Sequence, residues 1–147
     1  MQQLQFPAYH FRIKNNENKT SIFDPIRKKF IILTPEEWVR QHTIQYLITE
    51  KKYPQSLLNV EKVLQINGIQ KRYDLVVFNP EGRIFLIVEC KAANIPITQH
   101  TFDQIARYNL VAKATYLMVT NGLQHYYCQM DYQKEQYHFL EDLPSRH

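Results

Sequence analysis

The segment from residue 57 to residue 92 constrains the fold more than any other. Three apolar runs, "LLNVEKVLQI", "KRYDLVVF" and "RIFLIVECKA", are separated only by Asn67-Gly68-Ile69-Gln70 and by Asn79-Pro80-Glu81-Gly82. Asn-Gly tolerates the positive φ that a two-residue hairpin with native strand twist demands, and Asn-Pro-Glu-Gly is a turn composition. The spacing predicts a three-stranded antiparallel meander. Its third run is apolar at consecutive positions, as in a strand covered on both faces. That run ends in Glu89-Cys90-Lys91, which sets a carboxylate and an ammonium two residues apart where the interior strand stops.

Helical signals flank the meander. In "LTPEEWVRQHTIQYLITEKKYP", Thr34 can cap, Pro35 takes the first helical position and Glu36 and Glu37 fall in the first turn. Trp38, Val39, Ile44, Leu47 and Ile48 follow a helical period, and Pro54 limits the element. A second helix is expected in "IPITQHTFDQIARYNLV", capped by Thr98 or Thr101, with a strand "ATYLMVT" after it that Asn121-Gly122 ends. "AYHFRIK" and "KKFIIL" read as a small ribbon around the polar turn "NNENK", while "LQHYYCQM" and "QYHFLEDLP" read as a closing hairpin or irregular tail. The order predicts an α/β fold, a mixed central sheet flanked by helices with an N-terminal β-ribbon. Its length of 147 residues suits a single domain, with a core over about residues 34–130.

The net charge of +4 fits either a polyanionic partner or a solubilised surface. Arg27-Lys28-Lys29 and Lys51-Lys52 carry cations whose attraction to a phosphate backbone would be nonspecific. Cys90 and Cys128 lack metal-knuckle spacing, which points to a reduced, cytoplasmic protein. No leader pattern and no run near ~18 apolar residues suggests export or a membrane partner. His10, His42, His100, His125, His138 and His147 are scattered without zinc spacing.

The hairpins also set a register. With a two-residue Asn67-Gly68 turn, Glu61 faces Asp74; if the second turn closes symmetrically, Asp74 faces Ile87 and lies diagonal to Glu89 on one surface. A three-residue turn with a bulge would break that parity. The period of two sets Lys91 beside Glu89 and turns Cys90 towards the covered face as a small buried hydrophobe. Asp74 and Glu89 could then share a divalent cation, Mg2+ or Mn2+ rather than zinc, because both ligands are oxygens. Lys91 would position or deprotonate a water, or neutralise charge on a phosphate. The same residues admit a plainer arrangement, in which a Glu–Lys pair lines a solvated edge and Asp74 is satisfied by Lys71, Arg72 or a backbone amide.

The segments "TPEEWVRQ", "KRYDLVVFNPEG", "LIVECKAANIPIT", "FDQIARYN" and "YLMVTNGLQHYYC", in this order and spacing, resemble the PD-(D/E)xK nuclease superfamily. More closely, they resemble the domain at the N-terminus of type I restriction enzyme R subunits, over about residues 25–143. The resemblance implies a restriction-endonuclease-like core in which Asp74 is the variable acidic residue and Glu89-Cys90-Lys91 the E-x-K motif. It further implies an auxiliary acid on the first helix, Glu37 or Glu36. Gln104 and Tyr108 resemble the Q-x-x-x-Y element and would contact nucleic acid or support the metal ligands, with Arg107 beside them touching phosphate or solubilising the surface. Arg40 is expected to make a salt bridge with Glu36 or Glu37 more than to touch DNA. Tyr73 stands where the superfamily name has Pro.

The resulting expectation is a Mg2+- or Mn2+-dependent nuclease acting on DNA and associated with restriction-modification. Because 147 residues leave no space for the ATP-driven motor of R subunits, a separate motor or modification-complex protein is the expected partner. The alternative is a noncatalytic DNA-binding or regulatory module that keeps the nuclease fold; hydrolysis of RNA is a third reading.

Overall fold

The computed structural model describes residues 1–146. Six strands form the central sheet in the order β4 (Leu58–Ile66), β5 (Ile69–Phe78), β6 (Ile84–Cys90), β7 (Tyr116–Thr120), β8 (His125–Asp131) and β9 (Gln136–Leu140). Every neighbouring pair is antiparallel except β6–β7. That exception follows from connectivity, since the helix α2 (Gln99–Asn109) carries the chain back across the sheet before β7 begins. The closing segments are therefore an ordered hairpin within the sheet, which extends past residue 130 to Leu140.

Helices cover both faces of the sheet's centre, as the consecutive apolar residues of β5 and β6 require. The helix α1 (Pro35–Thr49) packs Val39, Ile44 and Leu47 on Leu75, Val77, Leu86, Val88 and Cys90. Phe102 and Ala106 of α2 cover Val76, Ile87, Leu117 and Val119 on the other face. Thr34 and Thr98 cap the two helices through the amides of Glu37 and Thr101. The stripe expected on α1 is too narrow: Glu37, Arg40, Gln41, His42 and Thr43 are buried as well. Both chain ends wrap this helix. Phe6 packs on His42 and Tyr46, while Asp142 accepts bonds from Tyr46 Oη and from Lys51 Nζ (2.5 Å).

The N-terminal ribbon has three strands, β1 (Ile13–Asn16), β2 (Lys19–Asp24) and β3 (Lys29–Ile32). Its first strand begins later than expected, and "KTSIFD" supplies a strand the sequence reading lacks. Glu17 and Asn18, both at positive φ, make the hairpin turn inside the segment read as polar loop.

Gly122 is held in a close approach. At φ +85, a Cβ there would meet Leu4 Cδ2 at 2.8 Å and Val39 Cγ2 at 3.1 Å. Gly122→Ala is expected to cost about 1–3 kcal/mol, from left-handed backbone strain and overpacking. A thermal melt superimposable on that of the parent chain would refute this.

Candidate active site

The site forms where β5 and β6 part. Their pairing runs Val77↔Leu86, Val76↔Ile87 and Leu75↔Val88, so that one residue further on Asp74 falls opposite Glu89. The expected partner, Ile87, is instead opposite Val76. Two irregularities explain the difference. The loop spans Asn79 to Arg83, closed by Asn79 N–H donating to the Arg83 carbonyl at 2.8 Å, and Phe85 is an extra residue between the pairs Phe78↔Ile84 and Val77↔Leu86. An odd loop alone would turn Glu89 to the wrong face; the bulge reverses that slip. Parity survives, and the two acids become direct neighbours instead of diagonal ones.

Beyond Leu75↔Val88 the ladder ends, and the Asp74 side chain substitutes for it. Its Oδ2 accepts from Cys90 N–H at 2.7 Å, and its Oδ1 accepts from Arg40 Nη2 at 3.2 Å. Asp74 thus takes a backbone amide, with Arg40 as its cation instead of Lys71 or Arg72. Lys91 N–H donates to the Thr120 carbonyl at 2.8 Å, which ties the E-x-K segment to β7. Cys90 is 1% exposed in the α1-side core, and burial first, then the Asp74 charge, pushes its thiol far up. It behaves as the small hydrophobe expected.

Glu89 is the most strongly perturbed carboxyl. Burial, followed by the neighbouring Asp74 carboxylate, pushes it up to about 9, with Lys91 and the Asn109 amide acting in the opposite direction. Its Oε1 is buried without a hydrogen-bond partner. Tyr73 Oη and Asn109 Oδ1 are likewise buried and unpartnered. A buried carboxylate oxygen lacking a donor is costly as an anion, and an oxygen-seeking cation would remove that cost. A folded-state value above the ordinary 4.5 means that Glu89 contributes stability below that value and loses it as pH rises towards about 9. In the metal-free chain, unfolding midpoints are therefore expected to fall across this window, by at most ~1.4 kcal/mol per pH unit. Glu89→Gln should flatten the decline, and a midpoint rising with pH would contradict the assignment.

An open cleft of about 340 Å³ lies over Glu89, lined also by Arg72, Lys91, Gln104, Ile105 and Tyr108. The structure thus brings Lys91, Gln104 and Tyr108 to Glu89. Arg72, two residues before Asp74 on β5, joins them unforeseen. Lys71 stacks on the Tyr108 ring at 4.2 Å and donates to the Tyr108 carbonyl at 3.0 Å. Arg107 points elsewhere, into a larger cavity with Lys113, Tyr132 and Tyr137.

The two first-helix acids separate. Glu37 is buried and accepts from Arg27 Nη2 (2.8 Å), Arg40 Nη1 (2.6 Å) and Gln41 Nε2 (2.9 Å). Glu36 is half-exposed, 4.0 Å from Arg40, and burial and the Asp74 charge raise its carboxyl, against Arg40 and Lys91. Of the two, Glu36 is the one open to the site, and Glu37 is committed to holding Arg40. Arg40 has the structural role expected of it, extended to Asp74. Glu61, at φ +51, drops out of the β4–β5 ladder opposite Asp74, and its carboxylate lies 3.7 Å from Arg27 and 3.9 Å from Arg40. Sequence reading missed Asp24, which is fully buried and accepts from Arg27 Nε (2.6 Å) and Gln41 Nε2 (3.0 Å).

Among the described residues no group of three or more His, Cys, Asp or Glu side chains is arranged to hold a metal. His125 is bonded to Thr120 Oγ1 (2.7 Å) and the Gln5 carbonyl (2.6 Å); His147 lies outside the described residues. Two carboxylates do fit Mg2+ or Mn2+, which commonly take one or two protein carboxylates and complete their shell with water and phosphate. No helix among the described residues is long and apolar enough to cross a membrane.

The fold is similar to that of a fragment described as an HsdR subunit of a type I restriction enzyme from Vibrio vulnificus YJ016, with a TM-score of 0.52 and 20% identity. The similarity covers 77% of this chain and 24% of that one, so the chain spans about a quarter of that protein's length. No curated protein matches by sequence. The family model for the type I restriction enzyme R protein N terminus matches residues 35–144, from the first turn of α1 through the last strand of the sheet, and the chain belongs to that family.

Proposed function

We propose that this domain is a PD-(D/E)xK nuclease that hydrolyses phosphodiester bonds in DNA with the help of Mg2+ or Mn2+. The observation that carries this reading is the juxtaposition of Asp74 with Glu89, which lines an open cleft and has one buried oxygen lacking any partner. Asp74 and Glu89 hold the cation, which when bound supplies Lewis-acid stabilisation of phosphate charge. Lys91 lines the same cleft, where its ammonium balances the charge that develops on the scissile phosphate. Gln104 and Tyr108 face the strand from α2 and orient it, and Arg72 offers its planar fork to an adjacent phosphate. The cleft is open to solvent, so water, the second reactant, enters freely.

Supercoiled plasmid DNA incubated with the purified chain is expected to be nicked with Mg2+ or Mn2+ and to stay intact in EDTA. DNA binding without products under either cation would replace this reading with a noncatalytic module that keeps the fold. Preferential degradation of RNA would change the substrate and leave the residue roles in place.

A further inference from the structure

The positive charge of this chain is concentrated in one element. Residues 1–34 contain six Lys or Arg against two Asp or Glu, and residues 35–147 contain twelve of each. The whole formal excess of +4 therefore lies in the segment carrying the three-stranded sheet, outside the residues 35–144 that match the family. Arg12, Lys14, Lys19, Lys28 and Lys29 are exposed. Among the described residues, none of these five forms an ion pair within 4.0 Å.

The strand register sorts Arg12, Lys14 and Lys19 onto one face, whereas Lys29, paired with Asp24, lies on the other and Lys28 is in the β2–β3 turn. Ile13, Ile22 and Ile31 form a cross-strand row whose centre, Ile22, is fully buried. The opposite face has Phe23 N–H bonded to the Arg12 carbonyl and Phe23 paired with Phe30, followed by the row Lys14, Ser21 and Ile32. The Phe23 and Phe30 rings meet edge-on at 5.4 Å. The Arg12 guanidinium lies 4.5 Å from the first ring centroid and 5.4 Å from the second, and Lys14 Nζ lies 5.5 Å from Phe30. A guanidinium packed over aromatic rings keeps its in-plane N–H donors free and has already lost much of its rotamer freedom, which suits it to binding a phosphate. The sheet is also tied to the site's acids, because Arg27 in the β2–β3 turn reaches Glu37, and Arg40 continues from Glu37 to Asp74.

We propose that the outer face of the N-terminal three-stranded sheet is a second nucleic-acid-binding surface, which grips the phosphate backbone of the DNA whose scissile bond enters the cleft. The choice of DNA as occupant rests on the nuclease reading of the cleft. The sheet supplies sequence-independent affinity, and the cleft supplies chemistry.

The test is fluorescence anisotropy of a labelled DNA duplex with the full chain in EDTA, where no cleavage occurs, over a range of salt concentrations. Arg12→Gln/Lys14→Gln/Lys19→Gln is expected to weaken binding about tenfold or more at low salt and to reduce the slope of log affinity against log salt by about 2 to 3. Arg83→Gln/Lys113→Gln/Lys134→Gln, which removes the same charge from other elements, should change affinity less than about twofold. Melting curves establish that both variants are folded; if the first is not, Lys14→Gln/Lys19→Gln, which leaves Arg12 on its rings, should still lower the slope by about 2. Equal losses in both triple variants, no loss in the first, or binding to anionic lipid vesicles but not to DNA would each overturn the proposal. Nicking by the parent chain in Mg2+ separates the two readings: absent nicking with the anisotropy contrast intact overturns only the nuclease reading, whereas nicking without that contrast overturns only this one.

Discussion

Glu89→Gln should abolish cation-dependent DNA nicking, by about 10²- to 10³-fold or more, while making the metal-free protein more stable at neutral and alkaline pH. The two effects share a cause. The carboxyl is raised to about 9 by burial and by Asp74, so its anionic form is unfavourable until a cation is bound. The isosteric amide removes that cost, and with it the negative charge that would attract the cation. Lys91→Ala should cause a loss of nicking of similar size without the gain in stability, because Lys91 lies past the end of β6 and lines the open cleft. Rates from plasmid nicking and midpoints from urea denaturation would be read on the same preparations. Nicking by folded Glu89→Gln at the parent rate would remove Glu89 from the mechanism.

Arg40→Ala is expected to be the most destabilising single substitution near the site, at about 3–5 kcal/mol. Arg40 is buried, its Nη1 donates to Glu37 at 2.6 Å and its Nη2 to Asp74 at 3.2 Å. Burial alone would lower its proton affinity, but Glu37 and Asp74 more than reverse this and the net direction is upward. Without Arg40, Glu37 retains Arg27 and Gln41, whereas Asp74 retains only the Cys90 amide. Arg40→Lys should recover only part of the loss, since one ammonium cannot span two carboxylates as a planar fork does. Urea denaturation gives the values directly, and a loss below about 1 kcal/mol for Arg40→Ala would show that the network around it is not cooperative.

The sequence made the meander legible because its turns are local. Asn67 and Gly68 adopt positive φ at 52° and 78°, as the Asn-Gly dipeptide implied, and the β4–β5 register followed from that turn. The register of β5 on β6 did not follow, because the extra residue at Phe85 leaves no mark in composition. The short strand β2 escaped for a related reason: "KTSIFD" buries only Ile22 and Asp24, and a buried aspartate breaks the apolar alternation by which a strand is recognised. The helix α1 was located correctly, yet its polar burial was invisible, since it depends on Asp24 and Arg27 arriving from the ribbon and Phe6 from the N-terminal segment.

Local pattern therefore determined which residues form β4 to β6 and where both helices are capped. Tertiary structure alone decided that Asp74 stands directly opposite Glu89, that Glu37 is committed to Arg27, Arg40 and Gln41 while Glu36 stays open, and that Arg72 shares the cleft with Gln104 and Tyr108. The physical reason is the range of the interactions. Turn chemistry and capping act over a few residues and are written in the sequence, whereas a buried charge takes whichever partner packing brings within reach.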